Sequence, residues 1–132
     1  MKSLSAALAL VLLLSGSVAG RSQAPPPPPP DSSFDPYRAE KNVEIGMYYL
    51  KKRNYDAAIE RFQDATRYKP RFARAYRLLG EAYDKKGEKA EAVKSYQKYL
   101  EILPSAEDVG KVRKRIDKLS RELDRAARGR SG

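Results

Sequence analysis

The chain has 132 residues, 27 Lys and Arg against 17 Asp and Glu, and a formal net charge of +10. It holds neither cysteine nor histidine, which removes disulfide scaffolds, thiolate metal sites, cysteine nucleophiles, Ser-His-Asp arrangements and the commonest general base. The length allows one small domain, and the positive charge favours acidic partners without identifying one.

The first element is a targeting segment. Lys2 supplies a short positive region, Leu4 to Leu14 an apolar run, and Ser17-Val18-Ala19 the small residues a signal peptidase reads. The run is shorter than the roughly 20 residues of a spanning helix, so residues 1–19 read as a secretory signal cut after Ala19. Retention as a membrane anchor stays open. No cysteine follows to carry a lipid. Residues 20–35 form a proline-rich linker. Six consecutive prolines, Pro25 to Pro30, lack backbone N–H groups and favour an extended polyproline II rod of about 3.1 Å per residue. The rod reads either as a spacer or as a ligand for a proline-binding groove.

Next comes an internal repeat with a period of 34. Gly46 pairs with Gly80, Tyr49 with Tyr83, Ala58 with Ala92 and Pro70 with Pro104, while Ile45 matches Leu79 and Phe62 matches Tyr96. The residues between read as paired helices. Asp35-Pro36 starts the first, which is expected over Pro36–Arg53. The second is expected over Tyr55–Tyr68, with Ala58, Ile59, Phe62 and Ala65 at helical spacing; Lys69-Pro70 ends it. The third covers Phe72–Lys86 and stops at Gly87. The fourth covers Lys89–Leu103 and ends at Pro104. Gly46 and Gly80 are expected where the paired helices cross closely, opposite Ala58 and Ala92, with the aromatics filling space away from the crossing.

A final helix is expected from Ser105, read as N-cap of a capping box with Asp108 three residues on. Val109, Val112, Ile116, Leu119 and Leu123 form a narrow apolar stripe. A one-sided helix suits the exposed end of a repeat stack; a coiled-coil seam for a partner or a second copy is the alternative. Arg125 to Gly132 reads as a frayed basic tail.

These positions resemble the tetratricopeptide repeat family. Its pattern is met in residues 39–72 by Ile45, Gly46, Tyr49, Ala58, Phe62, Ala65 and Pro70. Residues 73–106 supply Tyr76, Leu79, Gly80, Tyr83, Ala92, Tyr96 and Pro104. Asn42 stands where the family has an aromatic, and Tyr99 where it has a small residue. The resemblance implies an all-α fold, a helical-hairpin solenoid of two repeats plus a C-terminal capping helix. The domain is then 36–127, with repeats 39–72 and 73–106, a capping helix over 105–127, and a disordered tail over 128–132.

The resemblance also implies a concave groove lined by the first helix of each pair. Carried over, that gives Glu40, Val43, Met47 and Leu50 from the first repeat and Arg74, Arg77, Glu81 and Asp84 from the second. Lys111, Arg115 and Lys118 extend the row. Such a groove is apolar at one end and cationic at the other, suiting an acidic or carboxylate-bearing peptide with a hydrophobic neighbour. The plainer alternative is a set of solvated faces in which pairs such as Arg77–Glu81 neutralise themselves. Some groove-binding members hold a terminal carboxylate with Lys and Asn; Val43 and Met47 occupy those places, so that clamp is not implied.

Catalytic chemistry finds no footing. Glu81 and Asp84 share a helix face but are expected to be exposed beside cations. No phosphate loop, metal-ligand spacing or cofactor site occurs. Lys51-Lys52-Arg53 and Arg113-Lys114-Arg115 are basic triplets near tyrosines. Those tyrosines sit at repeat-core spacing, so nucleic acid is not an expected partner. The expectation is a non-enzymatic, exported scaffold that binds a protein or peptide segment in its groove, within the periplasm or as a secreted protein. It is loosely similar to small exported bacterial envelope repeat proteins, such as the lipoproteins that assist outer-membrane assembly. The alternative is a basic structural protein on anionic envelope polymer or lipid, and a homodimer is a further open arrangement.

Overall fold

A computed structural model describes residues 34–131, and among these every regular element is an α-helix. The signal segment 1–19, the proline run and most of the expected linker lie outside the described residues.

Helix α1 spans Pro36–Lys51. Asp35 caps it, its carboxylate accepting from the Arg38 N–H at 2.9 Å, and Pro36 stands where a missing N–H costs nothing. The Asp35 N–H also donates to the Tyr68 carbonyl at 2.9 Å, which ties the start of α1 to the end of the next helix. That helix, α2, spans Tyr55–Tyr68, and Asn54 caps it through a bond from the Ala57 N–H. Helix α3 spans Ala73–Lys86, α4 spans Lys89–Ile102, and α5 spans Val109–Arg130.

Helix α1 packs antiparallel on α2, α3 on α4, and the two hairpins meet through α2 and α3; α5 lies on α4. Ala39, Val43, Ala58, Ile59, Phe62 and Ala65 form the core of the first hairpin, continued by Phe72, Ala75, Leu78, Leu79 and Ala82. A second cluster joins Ala92, Tyr96 and Tyr99 to Val112 and Leu119. Tyr76 and Tyr83 pack against both, so the core is continuous. Full burial of a side chain as large as Phe62 contributes about 2–3 kcal/mol.

The glycines do what the period implied, by a different pairing. A Cβ on Gly46 would stand 2.5 Å from Cε1 of Phe62, and one on Gly80 would stand 2.5 Å from Cδ1 of Tyr96. The aromatic ring of each second helix therefore lies over the glycine of the first. Ala58 and Ala92 are fully buried but are not the groups that need the missing side chain.

Helix ends move by small amounts, with local causes. Helix α1 stops at Lys51 rather than Arg53, because Arg53 turns left-handed at φ 60° to make the reversal. Gly87, 34 residues on, makes the equivalent turn at φ 89°, where glycine has no steric cost. Helix α3 begins one residue later than expected and α4 ends one earlier.

The start of α5 is a larger correction. Ser105 is not its N-cap; turns close through Ala106 N–H to Leu103 and Val109 N–H to Ala106, and the helix begins only at Val109. Asp108 occupies the cap position without capping, because its carboxylate is engaged elsewhere. The far end also differs. Helix α5 continues to Arg130, through residues expected to fray. Arg128 and Arg130 in its last turn suit the negative end of the helix dipole.

Candidate functional site

Helices α1, α3 and α5 line one side of the stack, and the candidate residues divide sharply there. A cavity of about 330 Å³ opens between α3 and α5, lined by Arg77, Glu81, Tyr96, Asp108, Lys111, Val112 and Arg115. A second, of about 370 Å³, is lined by Leu50, Lys51, Arg53, Tyr55, Glu81 and Lys85. Glu81 belongs to both, so a trough runs from the end of α1 across α3 to α5.

Two cations of this trough, Arg77 and Arg115, are engaged from within the chain. Arg77 Nε donates to Asp108 Oδ2 at 2.6 Å, and the Tyr99 hydroxyl donates to the other oxygen at 2.5 Å. Arg115 forms a two-pronged bond to Asp84, Nε and Nη2 each at 2.5 Å. The Tyr96 hydroxyl reaches the same carboxylate at 3.5 Å. The expected Arg77–Glu81 pair is replaced by a longer-range one, and Asp84, expected to be exposed, keeps only 13% of its side chain in solvent. Bidentate charge-assisted bonds are the strong kind. They hold α5 against α3 across 31 residues of sequence.

The protonation equilibria follow from these contacts. The Tyr99 hydroxyl, with the Arg77 guanidinium, holds the Asp108 carboxyl below its ordinary range. Burial, then the bond to Asp108, pushes the Tyr99 phenol up. Burial, aided by Asp84 and Glu81, pushes the Tyr96 phenol up. A depressed carboxyl stabilises the fold above its unfolded value, near 3.8, and that stability is lost as pH falls through the folded value. Asp108→Asn is expected to lower stability by about 1 kcal/mol at pH 7 and to change it little at pH 2. Urea midpoints at the two pH values measure this; an equal loss at both would show that charge at Asp108 is irrelevant.

Five charged trough residues remain without an ion-pair partner among the described residues, Glu81, Lys111, Lys51, Arg53 and Lys85. They are the groups with spare charge to offer a ligand. Arg74 sits at the trough's edge, where it meets Glu40 at 3.6 Å and donates to the Met47 sulfur at 3.2 Å. Met47 and Leu50 keep part of their surface in solvent. Val43 does not; it is fully buried in the first hairpin and cannot touch a ligand, which corrects its place in the expected groove. The apolar patch therefore shrinks to Met47 and Leu50. Lys118 is exposed and outside both cavities.

Sequence reasoning missed Asp108, Tyr99 and Val112 as parts of this site. Tyr99 carried a signal, since its bulk departs from the family pattern. Asp108 carried none, because its partners are distant in sequence. Among the described residues, no group of three or more His, Cys, Asp or Glu could hold a metal, and no helix is long and apolar enough to cross a membrane.

The comparisons agree with the architecture. Residues 43–107 match the family model described as tetratricopeptide repeat. The chain is also similar to Hsp70-Hsp90 organizing protein 3 of Arabidopsis thaliana, 33% identical over 72 residues. That match takes in 54% of this chain and 13% of the relative, so it concerns one small part of a much longer protein. With paired helices of 34-residue period, an aromatic seated on each first-helix glycine and this match, the chain belongs, over residues 43–107, to the tetratricopeptide repeat family.

Proposed function

We propose that the chain is a non-enzymatic adaptor, a two-repeat solenoid closed by α5, that binds a protein or peptide segment along the α1–α3–α5 trough. The observation that carries this is the set of unpaired charges along the trough, Glu81 with Lys111 towards α5 and with Lys51, Arg53 and Lys85 towards the end of α1. An acidic ligand would meet Lys51, Arg53, Lys85 and Lys111 rather than Arg77 and Arg115. Arg77 and Arg115 would have to leave Asp108 and Asp84 to receive it. The trough suits a segment that offers carboxylates to Lys111 and to the Lys51, Arg53 and Lys85 end, an N–H or cation to Glu81, and an apolar side chain to Leu50 and Met47. The relative's name, which describes an organizer of two other proteins, supports a protein as partner. The leader-like residues 1–19 support export, and a site of action in an envelope complex goes with that reading.

The test is capture of partners by the full chain and by Lys111→Glu, with crosslinking and mass spectrometry. Lys111 is exposed, so its reversal leaves the fold intact. A specific partner is expected to fall at least tenfold in recovery with Lys111→Glu. Equal recovery would dismiss the trough as the binding site.

A second reading has its own observation. Arg113, Lys114, Lys118, Arg121 and Arg125 on α5 are exposed and have no ion-pair partner among the described residues. That face suits anionic polymer or lipid. Raised salt separates the two readings: contact through α5 fades steeply with ionic strength, whereas a contact anchored at Leu50 and Met47 persists.

A further inference from the structure

The outer face of α1 stands where a preceding hairpin would pack, and among the described residues nothing covers it. The repeat period shows this. Ala75, Leu78, Leu79 and Ala82 of α3 are buried where the second hairpin meets the first. Their counterparts on α1 are Lys41, Glu44, Ile45 and Tyr48, all exposed. Ile45 is 42% exposed where Leu79, its match, is 4%. Tyr37, one turn before Lys41, is 71% exposed, and Tyr48 is 58% exposed. With Lys52, itself exposed, these residues fall within about 100° of one another around the helix axis. Ala39, Val43 and Gly46, the buried residues of α1, lie on the opposite side.

We propose that this face is a two-fold interface between two copies of the chain, with α1 antiparallel to the partner's α1 and the two Ile45 side chains meeting near the axis. The face is complementary to itself in that register. Residues equally far before and after Ile45 come opposite each other. Lys41 therefore meets the partner's Tyr48, and Tyr37 meets the partner's Lys52. The rings already attract these cations: the Lys41 and Lys52 ammonium groups lie 5.9 and 5.7 Å from the centroids of the Tyr37 and Tyr48 rings of their own chain. Pairing gives each ammonium a second ring and takes it partly out of water, where cation–π attraction is stronger. Each lysine stays far from its own copy, about 12 Å along the axis for Lys41 and about 21 Å for Lys52 at 1.5 Å per residue. Both separations exceed the Debye length of about 8 Å at physiological salt. The two Glu44 carboxylates approach on the rim, each already paired with Lys41 of its own chain at 3.0 Å.

The fold also favours a contact that closes at two. Helix α5 packs on α4 at the far end of the stack, so the open repeat end is the α1 end. A patch that binds its own copy is used up on both partners and cannot propagate. Met47 and Leu50 lie off this stripe, so the trough of each copy stays open and the dimer does not depend on what the trough binds.

The test is sedimentation of the full chain across the micromolar to millimolar range. A concentration-dependent dimer is expected. Ile45→Glu and Ile45→Lys are each expected to raise its dissociation constant at least tenfold, because a two-fold axis sets the new charge against its own copy. An equimolar mixture of the two variants is expected to recover the dimer, since opposite charges then meet; misfolding would not produce that recovery. Tyr37→Ala with Tyr48→Ala is expected to weaken the dimer at least tenfold as well. All these positions are exposed, and helical signal in circular dichroism checks each fold. A chain that stays monomeric up to millimolar concentration overturns the proposal. A dimer untouched by the variants overturns it too, by placing the contact elsewhere in the chain. So does a mixture that fails to recover, which would show that the face is not paired with itself.

Discussion

Gly46→Ala is expected to lower stability by about 2 kcal/mol, a fall in melting temperature of roughly 8–15 °C for a domain of this size. The sign is the informative part. In an exposed helix interior the same change stabilises by about 1 kcal/mol, because alanine is the better helix former. Here the new methyl would stand 2.5, 2.7 and 3.0 Å from three carbons of the Phe62 ring. That ring is fully buried and has no solvent to retreat into. Gly80→Ala repeats the conflict against Tyr96, at 2.5, 2.6 and 2.8 Å. Gly110→Ala is the control, since nothing lies within 4 Å of its added Cβ; it should be neutral or slightly stabilising. Phe62→Leu in the Gly46→Ala background should recover part of the loss, by removing the ring edge. Thermal denaturation measures all four, and a rise in melting temperature for Gly46→Ala would refute the glycine–aromatic seat.

Leu119→Ala is expected to cost about 2–4 kcal/mol and to act locally. Leu119 is fully buried, and only Val112 joins it as a buried residue of α5. A helix with so narrow an apolar stripe depends on each member of it. The Arg115–Asp84 and Arg77–Asp108 pairs would remain, but ion pairs with partial solvent access do not replace a lost core side chain. Native-state hydrogen exchange is the measure. Amides of α5 should lose protection by at least tenfold, while those of α1 and α2, which α5 does not pack on, keep theirs. Equal loss in α1 would show that the stack opens as one unit.

The fold was legible because its rule is local and repeated. A 34-residue period, glycines and aromatics in register and a proline after each second helix fix four helices to within a few residues, and the apolar stripe from Val109 to Leu123 marks the fifth. What escaped was set by neighbours that no local pattern encodes. Val43 and Ile45 lie two residues apart on α1, yet one is fully buried in the core while the other is 42% exposed. Helical spacing puts the two on different sides of the helix, but both are apolar and nothing local says which side the neighbours cover. Ser105 satisfies the rule for a helix start, but Asp108, which the rule needs, is drawn to Arg77 and Tyr99. The candidate site was legible as a set of charges on α3 and α5. Its pairing was not, because Arg77 had an acid four residues away and chose one 31 residues away. That choice takes Arg77 and Arg115 out of the groove's free cations and leaves Lys51, Arg53, Lys85 and Lys111 beside the one unpaired carboxylate of the trough, Glu81, among the described residues.

The order in which the helices pack also bears on how the chain reaches its structure. Each helix makes its main contacts with its immediate neighbour along the chain. Closing such contacts costs little loop entropy, and proteins built this way fold in microseconds to milliseconds. The Phe62–Gly46 seat needs only residues 36–68, so the first hairpin can form while the later helices are still being synthesised. The second hairpin then folds on a surface already in place, and α5, the last helix made, closes over a finished stack.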